Sequence, residues 1–146
     1  MRYGWTLEKQ HWDNLLKVMS GTCWSRTRLD PLYQDNVPEG PGVYAICLKL
    51  RKVNFNQYPF KNLYEIIYVG RSEDSIRERF LRHCNKPKRG VKEAKECFSD
   101  NLEYWYTEIN SNQVQELEAH LIKCFGPPAN RKQESIPART TEGRPA

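Results

Sequence analysis

Glu118 stands where a charge is costly. Residues 112–125 predict a helix, because Val114, Leu117, Leu121, Ile122 and Phe125 recur at helical spacing on one face. Glu118 falls four residues after Val114 and four before Ile122, so it shares their face rather than that of Glu116, Ala119 and Lys123. Burying an unpaired carboxylate costs roughly several kcal/mol, so the residue calls for a cation: an Arg, a Lys or a metal ion. A second set lies upstream. Arg79 and His83 are spaced i, i+4 on a predicted helix, with Ile76 and Phe80 on its core side. That places them at the edge of the apolar stripe, the alternative being two boundary residues that reach out to water. Tyr44 and Tyr68 form the third set. Each stands on a predicted strand two residues from a glycine, Gly42 or Gly70, where the backbone can turn sharply or approach another group. Two such tyrosines on partner strands, with an Arg/His helix launched from the second, exceed what packing alone would arrange.

The elements that must position these residues are legible in outline. A helix is predicted over Thr6–Met19 with Thr6 as N-cap, ended by Ser20-Gly21. Residues 22–41 read as loop, being rich in Pro and Gly. Strands are predicted at Val43–Leu50 and Leu63–Val69, joined by a polar stretch and paired antiparallel. Ser75 and Glu78 have the form of a capping box for a helix running to about Cys84. The segment Asn85 to Gly90 breaks it, and a short helix is expected over Val91–Phe98. A third strand follows at Leu102–Ile109, then the Glu118 helix from Asn112, with Gln115 in its capping-box position and Gly126-Pro127-Pro128 as its stop.

Composition bounds the classes. The chain has 146 residues, 38% of them hydrophobic, which suits one domain with a modest core and excludes the disordered class. The net charge is +5 with a pI near 9.0. From Arg71 to Glu96 nine Lys/Arg face five Asp/Glu, a one-sided excess that suits a polyanion, although a solvated basic face carries the same signature. Five cysteines without a Cys-x-x-Cys pair argue against a zinc ribbon and a disulfide framework. No secretory signal or membrane-length apolar run is visible, so a cytoplasmic, reduced protein is the expectation.

In this order the motifs resemble those of the GIY-YIG nuclease superfamily. Its two name motifs correspond to Gly42-Val43-Tyr44 and Tyr68-Val69-Gly70. Its helical Arg-x-x-x-His corresponds to Arg79 and His83, its Leu-Glu-x-x-Leu-Ile to Leu117 through Ile122, and its closing Pro-x-Asn to Pro128-Ala129-Asn130. The resemblance covers about Pro38 to Arg131. It implies an α+β fold with a small three-stranded antiparallel sheet flanked by helices, preceded by an N-terminal helix and loop extension over residues 1–37. Residues 38–131 would form the nuclease domain and 132–146 a loose tail.

The resemblance also implies a Mg²⁺-dependent endonuclease acting on DNA, with Mn²⁺ as a substitute. Glu118 would be the metal's protein ligand, since Mg²⁺ keeps several waters. Arg79 would grip the phosphate with a charge it cannot lose. Tyr44 would be general base, helped by His83 because a tyrosine of ordinary pKa is a poor base at neutral pH. Tyr68 would orient water or phosphate. Arg71 stands where family members often carry Lys; it can bind phosphate but not accept a proton. Asn130 would bond around the metal or fix the local backbone. The spacing from Tyr68 to Arg79 is one residue longer than usual, an insertion placed before Ser75; within the helix it would hand the role to Arg77 or Arg82. Arg82, Lys86, Lys88, Arg89, Lys92 and Lys95 are expected to track a phosphate backbone. RNA and a homodimer stay open, a membrane is not expected, and the alternative is a non-catalytic nucleic-acid-binding module on the same fold.

Overall fold

The computed structural model describes residues 4–49, 64–98 and 101–130. Its elements follow in order as α1 (Lys9–Met19), β1 (Ser25–Arg28), β2 (Gly42–Lys49), β3 (Tyr64–Ser72), α2 (Ile76–Asn85), α3 (Arg89–Phe98), β4 (Leu102–Glu108) and α4 (Val114–Phe125), with 3-10 turns at Pro31–Asn36, kinked at Tyr33, and at Pro128–Asn130. The predicted polar connection after β2 and the predicted tail lie outside the described residues. No described helix is long and apolar enough to cross a membrane.

An α+β fold results. Among the described residues the sheet has four strands in the order β1-β4-β2-β3, and every pairing is antiparallel. The three expected strands are β2, β3 and β4. The fourth, β1, lies in the segment expected to be loop. Its sequence Ser-Arg-Thr-Arg gave no apolar alternation because only Thr27 is buried; as an edge strand its other side chains face outward. Arg26 reaches Glu103 at 3.8 Å and lies over the Trp105 ring.

Strand β2 is central and buried nearly throughout, and its period of two divides the core. Tyr44, Ile46 and Leu48 face a cluster with Ile76, Phe80, Val91, Ala94 and Tyr104. Val43, Ala45 and Cys47 face the other way, among Leu15, Val114, Leu117, Leu121 and Cys124. Helices α2 and α3 therefore cover one face, α1 and α4 the other.

The ends of the helices depart locally from expectation. Helix α1 begins at Lys9, not Thr6. Thr6 is engaged before the helix starts: its backbone N–H donates to the Cys124 carbonyl at 2.9 Å and its own carbonyl accepts from Trp12 Nε1 at 2.9 Å. Trp5, Trp12 and Phe125 then meet edge to face, tying the first residues to α4. Helix α4 begins at Val114 with Gln113 as an N-cap that makes no side-chain cap, because a turn between Asn110 and Gln113 takes up the expected first residues. Its end is as expected: Gly126 adopts φ 52° and donates to Ile122 at 2.9 Å. Helix α3 begins two residues early, at Arg89.

Candidate active site

The turn from β3 into α2 sets the site. Ser72 is buried, and its hydroxyl accepts from the backbone N–H groups of Asp74 and Ser75 at 3.1 and 2.8 Å. Ser75 then caps α2, accepting from the Glu78 N–H at 3.1 Å as its sequence predicts. The next free N–H groups, of Ile76 and Arg77, donate to the carbonyls of Gly40 and Pro38 at 2.9 and 3.2 Å. The start of α2 is thereby fixed against the entry to β2, where Tyr44 lies.

Tyr44 is fully buried, and its hydroxyl lies 2.8 Å from His83 Nε2. Opposite it across the β2–β3 ladder is Gly70, and a Cβ there would come within 2.4 Å of the Tyr44 hydroxyl. Glycine at that position is a socket for the tyrosine ring rather than a turn. On its other side Tyr44 stacks on Tyr104 with centroids 4.8 Å apart, and Tyr104 donates its own hydroxyl to the Ile76 carbonyl at 2.9 Å. Tyr68 completes the cluster at 5.2 Å from the His83 ring and 6.2 Å from that of Tyr44. Sequence reasoning missed Tyr104. The signal was present in the alternation Leu102, Tyr104, Tyr106 along β4, which sets these residues on one face.

The electrostatics separate the two partners. Burial pushes the Tyr44 phenol well above its ordinary pKa, reinforced by Tyr68 and opposed by the Arg79 charge. Burial lowers His83 to about 4, with further lowering from Lys88, Arg79, Arg82 and Lys95, so its ring is neutral at pH 7. His83 is 3% exposed, which overturns the alternative of a residue reaching out to water. Its Nδ1 is buried without a partner.

Arg79 is half-buried, and among the described residues it has no ion-pair partner. Its charge acts on both Tyr44 and His83. The other two guanidinium candidates differ. Arg77 donates to the Val37 carbonyl and to Glu39, both at 2.7 Å, and Arg82 is exposed.

Glu118 is paired with Arg71, whose Nη1 donates to Oε1. The charge on the wrong side of the helix thus finds a guanidinium on β3, not Arg79. Arg71 alternates along β3 with Val69, on the α4 face, whereas Gly70 and Tyr68 belong to the α2 face. The two groups meet around the end of β3, and the Glu118 charge is felt by Tyr44. Among the described residues no group of three or more His, Cys, Asp or Glu could hold a metal, so Glu118 stands as a single oxygen donor.

Asn130 has a structural engagement. Its amide accepts from the Val69 N–H and donates to the Val69 carbonyl, both at 2.9 Å, pairing with the outer edge of β3 as a strand would. Of the basic residues, Arg82, Lys86, Lys88 and Lys92 are exposed. Arg89 pairs with Glu93. Lys95 departs from the expected phosphate contact: its ammonium donates to the carbonyls of His83 and Cys84 at 3.1 and 2.7 Å, closing the end of α2.

A family model described as the GIY-YIG catalytic domain matches residues 41–133. Among solved structures the chain is similar to the GIY-YIG N-terminal endonuclease domain of UvrC from Thermotoga maritima, a point mutant bound to the catalytic divalent cation. The identity is 24%, the match covers 70% of this chain and 94% of that one, and the TM-score is 0.48. A search among curated proteins found no match.

Proposed function

Because its match to the family model spans most of its length, the chain belongs to the GIY-YIG nuclease family, and from that premise we propose that it is a Mg²⁺-dependent endonuclease hydrolysing phosphodiester bonds in DNA. The observation that carries this is the 2.8 Å contact between Tyr44 and His83 beside an Arg79 that has no acidic partner among the described residues. Tyr44 receives a proton from the attacking water as it gives its own to His83 Nε2, which becomes imidazolium. Burial makes a free tyrosinate costly, so both protons move together. The relay uses the tautomer with its hydrogen on Nδ1, leaving Nε2 to accept. Burial and the surrounding cations disfavour the imidazolium in the free protein, so the transfer to Nε2 draws on the negative charge that a bound phosphate brings to those cations. Arg79 stabilises the charge growing on the phosphate, and Tyr68 orients the water or the phosphate.

Glu118 fits a hard divalent cation: it offers carboxylate oxygen, is partly accessible, and Mg²⁺ needs only one or two carboxylates besides water and phosphate oxygens. When bound, such an ion neutralises charge on the scissile phosphate and stabilises the leaving oxygen. Arg82, Lys86, Lys88 and Lys92 are the proposed phosphate-backbone contacts, and residues 1–37 and 132–146 are read as flanking the nuclease domain.

Supercoiled plasmid incubated with the protein tests the proposal. Nicking should require Mg²⁺, vanish in Glu118→Ala and fall steeply in Tyr44→Phe. Cleavage indifferent to Glu118→Ala would remove the metal role. Binding without cleavage in Mg²⁺ or Mn²⁺ would leave a nucleic-acid-binding module on the same fold.

A further inference from the structure

Arg71 holds two carboxylates at once: Glu118 through Nη1 and Glu73 through Nε at 3.3 Å. Its side chain is 34% exposed, Glu118 is 16% exposed and Glu73 is 55% exposed, so the group opens to solvent on the Glu73 side. The three residues together carry one negative charge. A divalent cation at Glu118 would turn that into one positive charge and crowd Arg71, which occupies the same carboxylate. One phosphodiester would then restore neutrality, and it offers the guanidinium a planar pair of oxygens in place of Glu118. Each ligand therefore relieves what opposes the other. Arg71 sits one residue after Gly70, the socket of Tyr44, so a phosphate it held would lie at the junction of both halves of the site.

We propose that Arg71 is a substrate-phosphate ligand that holds Glu118 while no substrate is bound, so that divalent cation and phosphodiester bind with positive coupling. This rests on Glu118 being the metal ligand. The free protein then binds metal weakly, and substrate arrival releases the carboxylate. By reciprocity the metal tightens the substrate by the same factor.

Calorimetric titration with Mn²⁺ tests this, with and without a short phosphorothioate duplex that resists cleavage. Without DNA, Arg71→Gln should bind Mn²⁺ about tenfold more tightly than the wild type. Lys9→Gln, which removes an exposed charge on α1 that pairs with Asp13 and not with Glu118, should change it far less. With DNA, the wild type should tighten on Mn²⁺ by about tenfold and Arg71→Gln by much less. Arg71→Lys, which keeps the charge without the fork, should fall between. If neither Arg71 variant binds Mn²⁺ more tightly than Lys9→Gln, or if the DNA-induced tightening survives in both, the inference is overturned. If instead Glu118→Gln binds Mn²⁺ as the wild type does, the metal assignment itself fails, a result separable from the first.

Discussion

Tyr44 is held by three residues of different kinds, and each makes a distinct prediction. Gly70 leaves room for its ring, Tyr104 supports one face, and His83 bonds its hydroxyl. Gly70→Ala places a methyl where the hydroxyl lies, so Tyr44 must move from His83. A loss of about 10²-fold in kcat with KM little changed is expected in steady-state nicking, the scale of a lost proton-transfer group. The pair Gly70→Ala/Tyr44→Phe should be no slower than the worse single variant, since both remove one relay; additive losses would place Gly70 in another role. His83 gives a pH prediction. Its folded pKa is about 4, below the 6.5 of the free side chain. Between those values the unfolded chain binds the proton and the folded one does not. Stability from this group is therefore full above pH 6.5 and lost as pH falls towards 4, by about 3 kcal/mol. Urea midpoints at pH 7, 5.5 and 4.5 should fall more steeply for the wild type than for His83→Asn; equal slopes would mean that His83 is not held neutral.

At the scale of elements, the sequence was most legible where one residue type has one use. The Ser75/Glu78 cap, the Gly126 stop and the β-branched, aromatic and aliphatic run of β2 each have a single structural reading, and the structure has them there. It was least legible where tertiary partners decide. Nothing near β1 in the chain announces a strand, because its partner Glu103–Tyr106 segment lies far downstream. Thr6 looks like a cap but bonds to Cys124. The same applies to the site: the residue types were legible, but which guanidinium meets Glu118 depended on Arg71 taking the α4 face of the sheet while α2, with Arg79, covers the other. Asn130 illustrates the price of an open edge. Asn130→Ala would remove both bonds to Val69 and expose the β3 edge, at a cost of about 1–3 kcal/mol in urea unfolding. Faster amide exchange at Val69 should accompany it, and unchanged exchange would place the stabilisation elsewhere.

Over the whole molecule, the basic surplus divides into charges that are free to meet a polyanion and charges already engaged. Lys92 is exposed, whereas Lys95 closes the end of α2. Lys92→Gln should reduce the slope of log affinity for DNA against log salt by about one without altering stability. Lys95→Met should leave that slope nearly intact and lower stability by about 1 kcal/mol. Equal slope changes in fluorescence-anisotropy titrations would mean that the two lysines face DNA alike. The strand order carries a last consequence, in time rather than space. Strand β4 lies between β1 and β2 although it follows both in the chain. While the chain is being synthesised, β2 has β3 on one side and an open apolar edge on the other until residue 108 has emerged. Such long-range closure is slow, and the unfilled slot is a template for another chain. Yield on overexpression should therefore depend on how quickly β4 inserts, and substitutions that weaken β4 should cause aggregation before they cost activity.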